Sequence, residues 1–302
     1  MKRNSTSRYN LNADFGLSFL GMVKWMLFNY LNNRGGNELI DSRVKISKFR
    51  VSNFDNWNQV DLMASPSRRL CDFFWLNLKW DTIISDLGAP LNAIEIGCGS
   101  GVYGRLIENH IGNNLCFYRG IDINEHNDWA ELRKNPKFQF IQSNAASVEN
   151  DLVGTNFIFT QSGLEHFEED LTFFKQVANY VENVDHPIIQ IHLVPSRACI
   201  STYPWHGFRQ YTNASISEVT QLFSNNSEFE WISLGGEACN RVHRKFITFP
   251  IYTKRGDLRR KFNKQYNEEL KKAITMDNES KSEIVSSFAV LIIRSNFKKL
   301  RQ

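Results

Sequence analysis

The chain has 302 residues, 42% hydrophobic and 13% aromatic, with a formal net charge of +4. That is an ordinary globular composition, sufficient for one large domain or a domain with appended elements. Five cysteines, Cys71, Cys98, Cys116, Cys199 and Cys239, are odd in number and nowhere paired as CxxC, which argues against a disulfide framework or zinc knuckle and for a reducing, cytosolic location. The basic start MKRNSTSRYN is not followed by a signal-peptide pattern, because Lys24 interrupts the apolar run and no small-residue cleavage site follows. The longest apolar region, residues 17–31, is too short to span a bilayer.

In chain order, LSFLGMVKWMLFNYL (17–31) predicts a helix that is apolar around most of its circumference, so it must cover something: the acceptor side of a domain, a second subunit, or a membrane surface. SPSRRLCDFFWLNLKWDTIISDLG (65–88) predicts another, with Ser65 as cap, Pro66 in the first turn and Gly88 as stop. Short apolar strands follow at 93–97, 117–123, 137–143, 156–162 and 187–194, with helical stretches between several of them; 228–234 and 286–295 read as two more. Strands alternating with helices predict an α/β, doubly wound, mostly parallel seven-stranded sheet. The expected organisation is a helical N-terminal cap over 1–88 and an α/β domain over 89–302, the latter with a polar basic insertion at about 253–285.

Charge is unevenly spread. Residues 1–60 hold nine Lys/Arg against four Asp/Glu and residues 251–302 thirteen against six, so basic ends flank an acidic centre. Solvated helix faces explain this, and so does attraction to anionic lipid head groups or a charged glycan. Nucleic acid is not an expected partner, since no zinc finger, RNP-like strand or compact basic run is present.

The segment AIEIGCGSGVYG (93–104) is an apolar strand breaking into glycines ahead of a helix, a turn that lets backbone approach a ligand and offers it free N–H groups. Gly99, Gly101 and Gly104 satisfy GxGxxG, with Asp122 at the distance of a ribose-binding acid, which alone fits NAD. The fuller pattern Glu95-x-Gly97-x-Gly99-x-Gly101 resembles motif I of class I S-adenosylmethionine-dependent methyltransferases. GIDIN (120–124), FIQSNAASV (140–148) and FIFTQSGLEHF (157–167) resemble the following motifs in order, closest to the type 11 small-molecule branch, over roughly residues 90–235. The resemblance implies a Rossmann-like methyltransferase fold and S-adenosylmethionine as cofactor. It further implies that Glu95, Gly97, Gly99 and Gly101 shape the loop under the cofactor and that Asp122 holds the ribose diol. Asn144 and Ala145 would meet the adenine, and Gln161 and Ser162 would face the cofactor. Asn144 departs from the usual family aspartate.

Methyl transfer asks for alignment and, for a hydroxyl acceptor, a base. His206, in the loop TYPWHGFRQYT (202–212), is the expected base and His166 the alternative. Glu165–His166 is similar to the E-x-x-E-H arrangement of metal-dependent O-methyltransferases, but Ser162 stands where its first glutamate would be, and no metal is expected. Tyr203, Trp205, Arg209 and Tyr211 mix flat faces with donors and are expected to bind substrate; His243, Arg244 and Lys245 form a second group suited to an anion. The function expected is O-methylation of a glycan or envelope-related small molecule. The alternatives are a quinone or lipid-like acceptor served by 17–31 at a bilayer, and a non-catalytic scaffold, against which the intact glycine turn and Asp122 count.

Overall fold

The structure, a computed structural model, describes residues 3–36, 40–280 and 286–297. Eight strands form one sheet: β1 (Val44–Phe49), β2 (Leu91–Ile96), β3 (Leu115–Asp122), β4 (Phe138–Gln142), β5 (Phe157–Gln161), β6 (Ile188–Pro195), β7 (Ser227–Leu234) and β8 (Phe288–Ser295). Their order is β1-β7-β8-β6-β5-β2-β3-β4. Every neighbouring pair is parallel except those of β8, which runs antiparallel between β6 and β7. This is a doubly wound, mostly parallel α/β sheet, with one strand more than the seven expected.

The additional strand is β1, inside the span read as helical cap. It pairs with β7 from Val44↔Phe229 to Phe49↔Leu234. Its sequence, VKISKF, is half lysine and polar because it forms the sheet edge, where among the described residues one side has no partner and charge discourages pairing with another chain. The inner strands are apolar on both faces, as buried parallel strands are. Along β2, Leu91 and Ala93 join one core while Ile94 and Ile96 join the other.

The helices are α1 (Phe19–Asn33), α2 (Pro66–Leu76), α3 (Trp80–Leu87), α4 (Val102–Ile111), α5 (Asp128–Leu132), α6 (Asp170–Glu182), α7 (Asn213–Thr220), α8 (Glu237–His243), α9 (Phe249–Tyr252) and α10 (Asn263–Glu279). Side chains of α2, α3, α4, α8 and α10 fill one core, those of α6 and α7 the other. Ser65 caps α2 through its hydroxyl and Pro66 opens it, while Gly88 closes α3 in the left-handed conformation. Residues 77–79 break the single helix expected over 65–88 into two. Helix α10 fills much of the basic insertion, whose residues 281–285 lie outside the described set.

Helix α1 is amphipathic in an inverted sense. Trp25, Asn29 and Asn33, one turn apart, face the protein: the Trp25 indole donates to Gly207 O at 2.9 Å and Asn33 donates to Gln210 Oε1 at 3.0 Å. Phe19, Leu20, Val23, Leu27 and Tyr30 occupy the opposite face and are exposed, Phe19 by 82%. The helix therefore covers the 207–210 loop and leaves its own apolar side bare.

Candidate functional site

Chain direction across the sheet reverses between β2 and β5, which are hydrogen-bonded neighbours leading away to β3 and β6 respectively. A crevice at the C-terminal ends of these strands is where open α/β sheets bind ligands. The glycine turn follows β2 at this end of the sheet. Gly97, Gly99 and Gly101 all have positive φ (74°, 52° and 77°), a region in which a β-carbon is strained. A Cβ on Gly101 would strike the Phe140 ring at 2.8 Å, so that glycine serves packing against β4. One on Gly99 would meet no atom within 4 Å: this glycine faces open space. Helix α4 begins directly after, without a side-chain cap on its first N–H groups.

Asp122, at the end of β3, accepts the Gly99 N–H at 2.8 Å and the Asn124 N–H at 3.0 Å, one on each carboxylate oxygen. It thus holds the turn it is expected to share with a ligand, and each oxygen retains a second acceptor site. His126 lies 3.9 Å away on the rim, and the Trp129 indole donates to Gly99 O at 2.8 Å. Asn144 is exposed and its Oδ1 accepts from Ala146 N at 2.9 Å, which opens the short turn Ala145–Ser147. The amide N–H group of Asn144 is thereby the part directed to other uses.

Two of the expected cofactor residues are internal. Glu95 is buried in β2 and accepts the Tyr118 hydroxyl at 2.5 Å; burial pushes its carboxyl up to about 8, against the opposing effect of that hydrogen bond. Gln161 accepts the Trp75 indole at 2.8 Å and donates to Ser162 Oγ at 2.9 Å. Ser162 itself carries φ of 50°, a rare value for a non-glycine residue, at the turn leaving β5. Glu95 and Gln161 therefore shape the turn from beneath instead of offering free groups.

Beyond β5 the chain makes a single tight turn, Leu164–His166, against which the 203–208 loop folds: Phe208 N donates to Glu165 O at 2.8 Å. This brings His206 to His166, ring centroids 4.7 Å apart and nearly perpendicular. Both face Glu165, whose Oε1 is 3.7 Å from His206 Nε2 and 4.0 Å from His166 Nε2. Glu165 is fully buried, and among the described residues neither of its oxygens has a hydrogen-bond partner. A fourth residue arrives from the N-terminal arm: Asp14 accepts from His166 Nδ1 at 2.7 Å and from Gly207 N at 3.0 Å. Burial works to lower the His166 pKa, but the Asp14 hydrogen bond and the charges of Glu165, Asp14 and Asp122 outweigh it and leave it raised. For Asp14, burial raises and the His166 contacts lower, with a lowered pKa as the result.

The remaining expected residues divide. Tyr203 stacks edge-on against His243 at 4.3 Å and stands 6.0 Å from His206. Trp205, at φ of 58°, donates to Met22 O in α1 at 3.1 Å and packs on Tyr252 in α9. Arg209 and Tyr211 correct the substrate expectation, because both are fully buried on Asp170: Arg209 Nη1 is 2.6 Å from Oδ1, and the Tyr211 hydroxyl donates to Oδ2 at 2.8 Å. The same carboxylate receives Thr6 N and Thr6 Oγ1, so this network clamps the N-terminal arm. His243, Arg244 and Lys245 likewise form no anion pocket: His243 is buried beside Thr248 with its pKa driven down to about 3 by burial, Arg244 pairs with Glu237 and Lys245 with Glu269. His192 in β6 is a buried neutral residue against Thr160, its pKa also lowered to about 3.

No protein-family profile and no curated protein sequence matches the chain. Among solved structures, the methyltransferase domain of bacterial CtHen1-CN matches with 12% identity and a TM-score of 0.45, covering 71% of this chain and 94% of that one. A putative sarcosine dimethylglycine methyltransferase from Galdieria sulphuraria matches with 12% identity and a TM-score of 0.44 over 80% and 97% of the two chains. The plantazolicin methyltransferase BamL, in complex with a triazolic desmethylPZN analog and SAH, matches with 13% identity and a TM-score of 0.42 over 78% and 98%.

Proposed function

We propose that the protein is an S-adenosylmethionine-dependent O-methyltransferase acting on an apolar or lipid-like hydroxyl acceptor at a bilayer surface. The observation that carries the cofactor assignment is the space at Gly99, a left-handed glycine with no atom within 4 Å of its missing β-carbon, beside a carboxylate at a strand end. Gly97, Gly99 and Gly101 would pass beneath the cofactor, Asp122 would accept from the ribose hydroxyls with its free lone pairs, and the Asn144 amide would donate to the adenine edge. When bound, the cofactor supplies a methyl group on a sulfonium that is its own leaving group.

The Glu165–His166–His206 cluster sits after β5, on the adjoining side of the crevice, and Asp122 acts electrostatically on His166. These residues would receive the acceptor and handle its proton. The lipid-like acceptor is favoured over the glycan by what surrounds them: Arg209 and Tyr211 are consumed internally, whereas Trp205, next to His206, bridges the two exposed apolar elements α1 and α9. Phe249, Ile251 and Tyr252 of α9 are exposed like the outer face of α1, with Lys24, Lys254 and Arg255 exposed among them. Apolar projections ringed by cations suit an anionic membrane surface.

Calorimetry with S-adenosylmethionine, S-adenosylhomocysteine and NAD tests the reading. Saturable binding of NAD and of neither sulfur ligand would overturn it. Methyl incorporation into lipid but not glycan extracts, read by mass, supports the acceptor class.

A further inference from the structure

We infer that Asp14, Glu165, His166 and His206 form a binding site for one divalent first-row transition-metal ion. The inference deepens the methyltransferase reading and rests on it for the role of the ion, though not for its binding. Asp14, His166 and His206 each offer a ligand atom, and these atoms lie within 4.8 Å of one another. A cation at ~2.1 Å from each ligand needs them roughly 3–4 Å apart, so closure asks only for small side-chain rotations.

Glu165 supplies the second, independent observation. A fully buried carboxylate whose oxygens have no hydrogen-bond partner among the described residues is costly unless a positive charge compensates it, and its Oε1 lies 3.7 and 4.0 Å from the two imidazoles. Two imidazoles with two carboxylates favour zinc-, iron- or manganese-type ions over magnesium or calcium, which take all-oxygen shells. The sequence led to the expectation of no metal, because position 162, where a first acidic ligand would stand, is serine; the acid arrives instead as Asp14, from an arm that is remote in the chain. The partial exposure of Asp14, His166 and His206 leaves coordination positions for an acceptor. A hydroxyl bound there would lose its proton to water more readily, the electron pair staying on oxygen and the metal unchanged in oxidation state.

The test uses the untagged full chain, stripped with chelator and titrated with Zn²⁺, Mn²⁺ or Mg²⁺, with bound metal counted by mass spectrometry. One Zn²⁺ or Mn²⁺ per chain is expected, with Mg²⁺ far weaker. Asp14→Ala, on an exposed arm, and His206→Ala should each weaken binding by at least about tenfold while circular dichroism reports a folded chain, and His110→Gln should not. No stoichiometric metal on the folded wild type, or full affinity in both ligand variants, would overturn the site. S-adenosylhomocysteine binding is measured on the same stripped sample, so loss of the metal site alone is distinguished from failure of the methyltransferase reading.

Discussion

The rings of His166 and His206 meet edge to face at 4.7 Å, with the buried Glu165 carboxylate near the Nε2 atom of each. The two imidazoles therefore share one environment. His206→Ala should lower methyl turnover by about a hundredfold or more, the lower end of what proton handling contributes, and His166→Ala should do likewise. Cofactor affinity, read by calorimetry, should change little in either. Near-wild-type turnover in His206→Ala would remove it from the chemistry.

The Asp14–His166 contact has a defined pH window. His166 is raised above 6.5, so its contribution to stability is fully present below that value and is lost as pH rises through the folded pKa. Asp14 is lowered below 3.8, so its contribution is present above that value and is lost as pH falls through the lowered pKa. In metal-stripped protein, the melting-temperature difference between wild type and Asp14→Asn should therefore be larger near pH 5.5 than near pH 9. A difference that is constant or grows with pH contradicts the pairing.

Among the turn residues, substitutions should separate binding from folding. Asp122→Ala removes a charged acceptor and should weaken S-adenosylhomocysteine binding by about 1.5–3 kcal/mol. Gly99→Ala costs the strain of a left-handed alanine, ~1–2 kcal/mol, and puts a methyl group into ligand space, so affinity should fall while the protein stays folded. Gly101→Ala drives its methyl into Phe140 and should show a larger loss of thermal stability than Gly99→Ala.

Glu95 makes a separate pH prediction. Its carboxyl is pushed up to about 8 from 4.5, so the native state holds a proton that the unfolded state has released, and stability falls as pH rises between those values. Glu95→Gln has no such proton to lose. Its stability relative to wild type should rise across that interval, by up to about 1.4 kcal/mol per pH unit, and level off above it. Denaturant unfolding at several pH values measures this, and a flat difference contradicts the buried neutral acid.

At the membrane, flotation with anionic vesicles should carry the protein, and raising salt should reduce the effect. Replacing Phe19 and Leu27 with serine should abolish flotation while leaving the fold intact, because both side chains are exposed. Equal flotation of the double variant would mean that another surface, or none of this helix, is responsible.

The strands around the site were legible because parallel strands buried on both faces are written as unbroken apolar runs, and Glu95 to Gly101 marks the turn from β2 into α4. β1 was not, since an edge strand with Lys45 and Lys48 carries no such signature. Trp205 reaches α1 and α9, but Arg209 and Tyr211 misled: composition places donors in a loop without saying that Asp170, in α6, already holds them. Asp14 was invisible for the converse reason, a single acid in a polar arm whose meaning comes only from the residue it reaches.

The position of β8 has a consequence for the order in which the molecule can be built. Among the described residues, β7, and β1 beyond it, reach the rest of the sheet only through β8. A nascent chain can lay down β2 to β6, glycine turn included, yet the β1–β7 pair has no place to dock until residues 288–295 emerge. Through that interval β6, whose residues are all buried in the finished protein, presents an unpaired apolar edge of the kind that recruits foreign strands. Translation that stalls before Phe288 thus leaves a chain with its glycine turn encoded and one edge of β6 uncovered, a species for chaperones or proteases to meet.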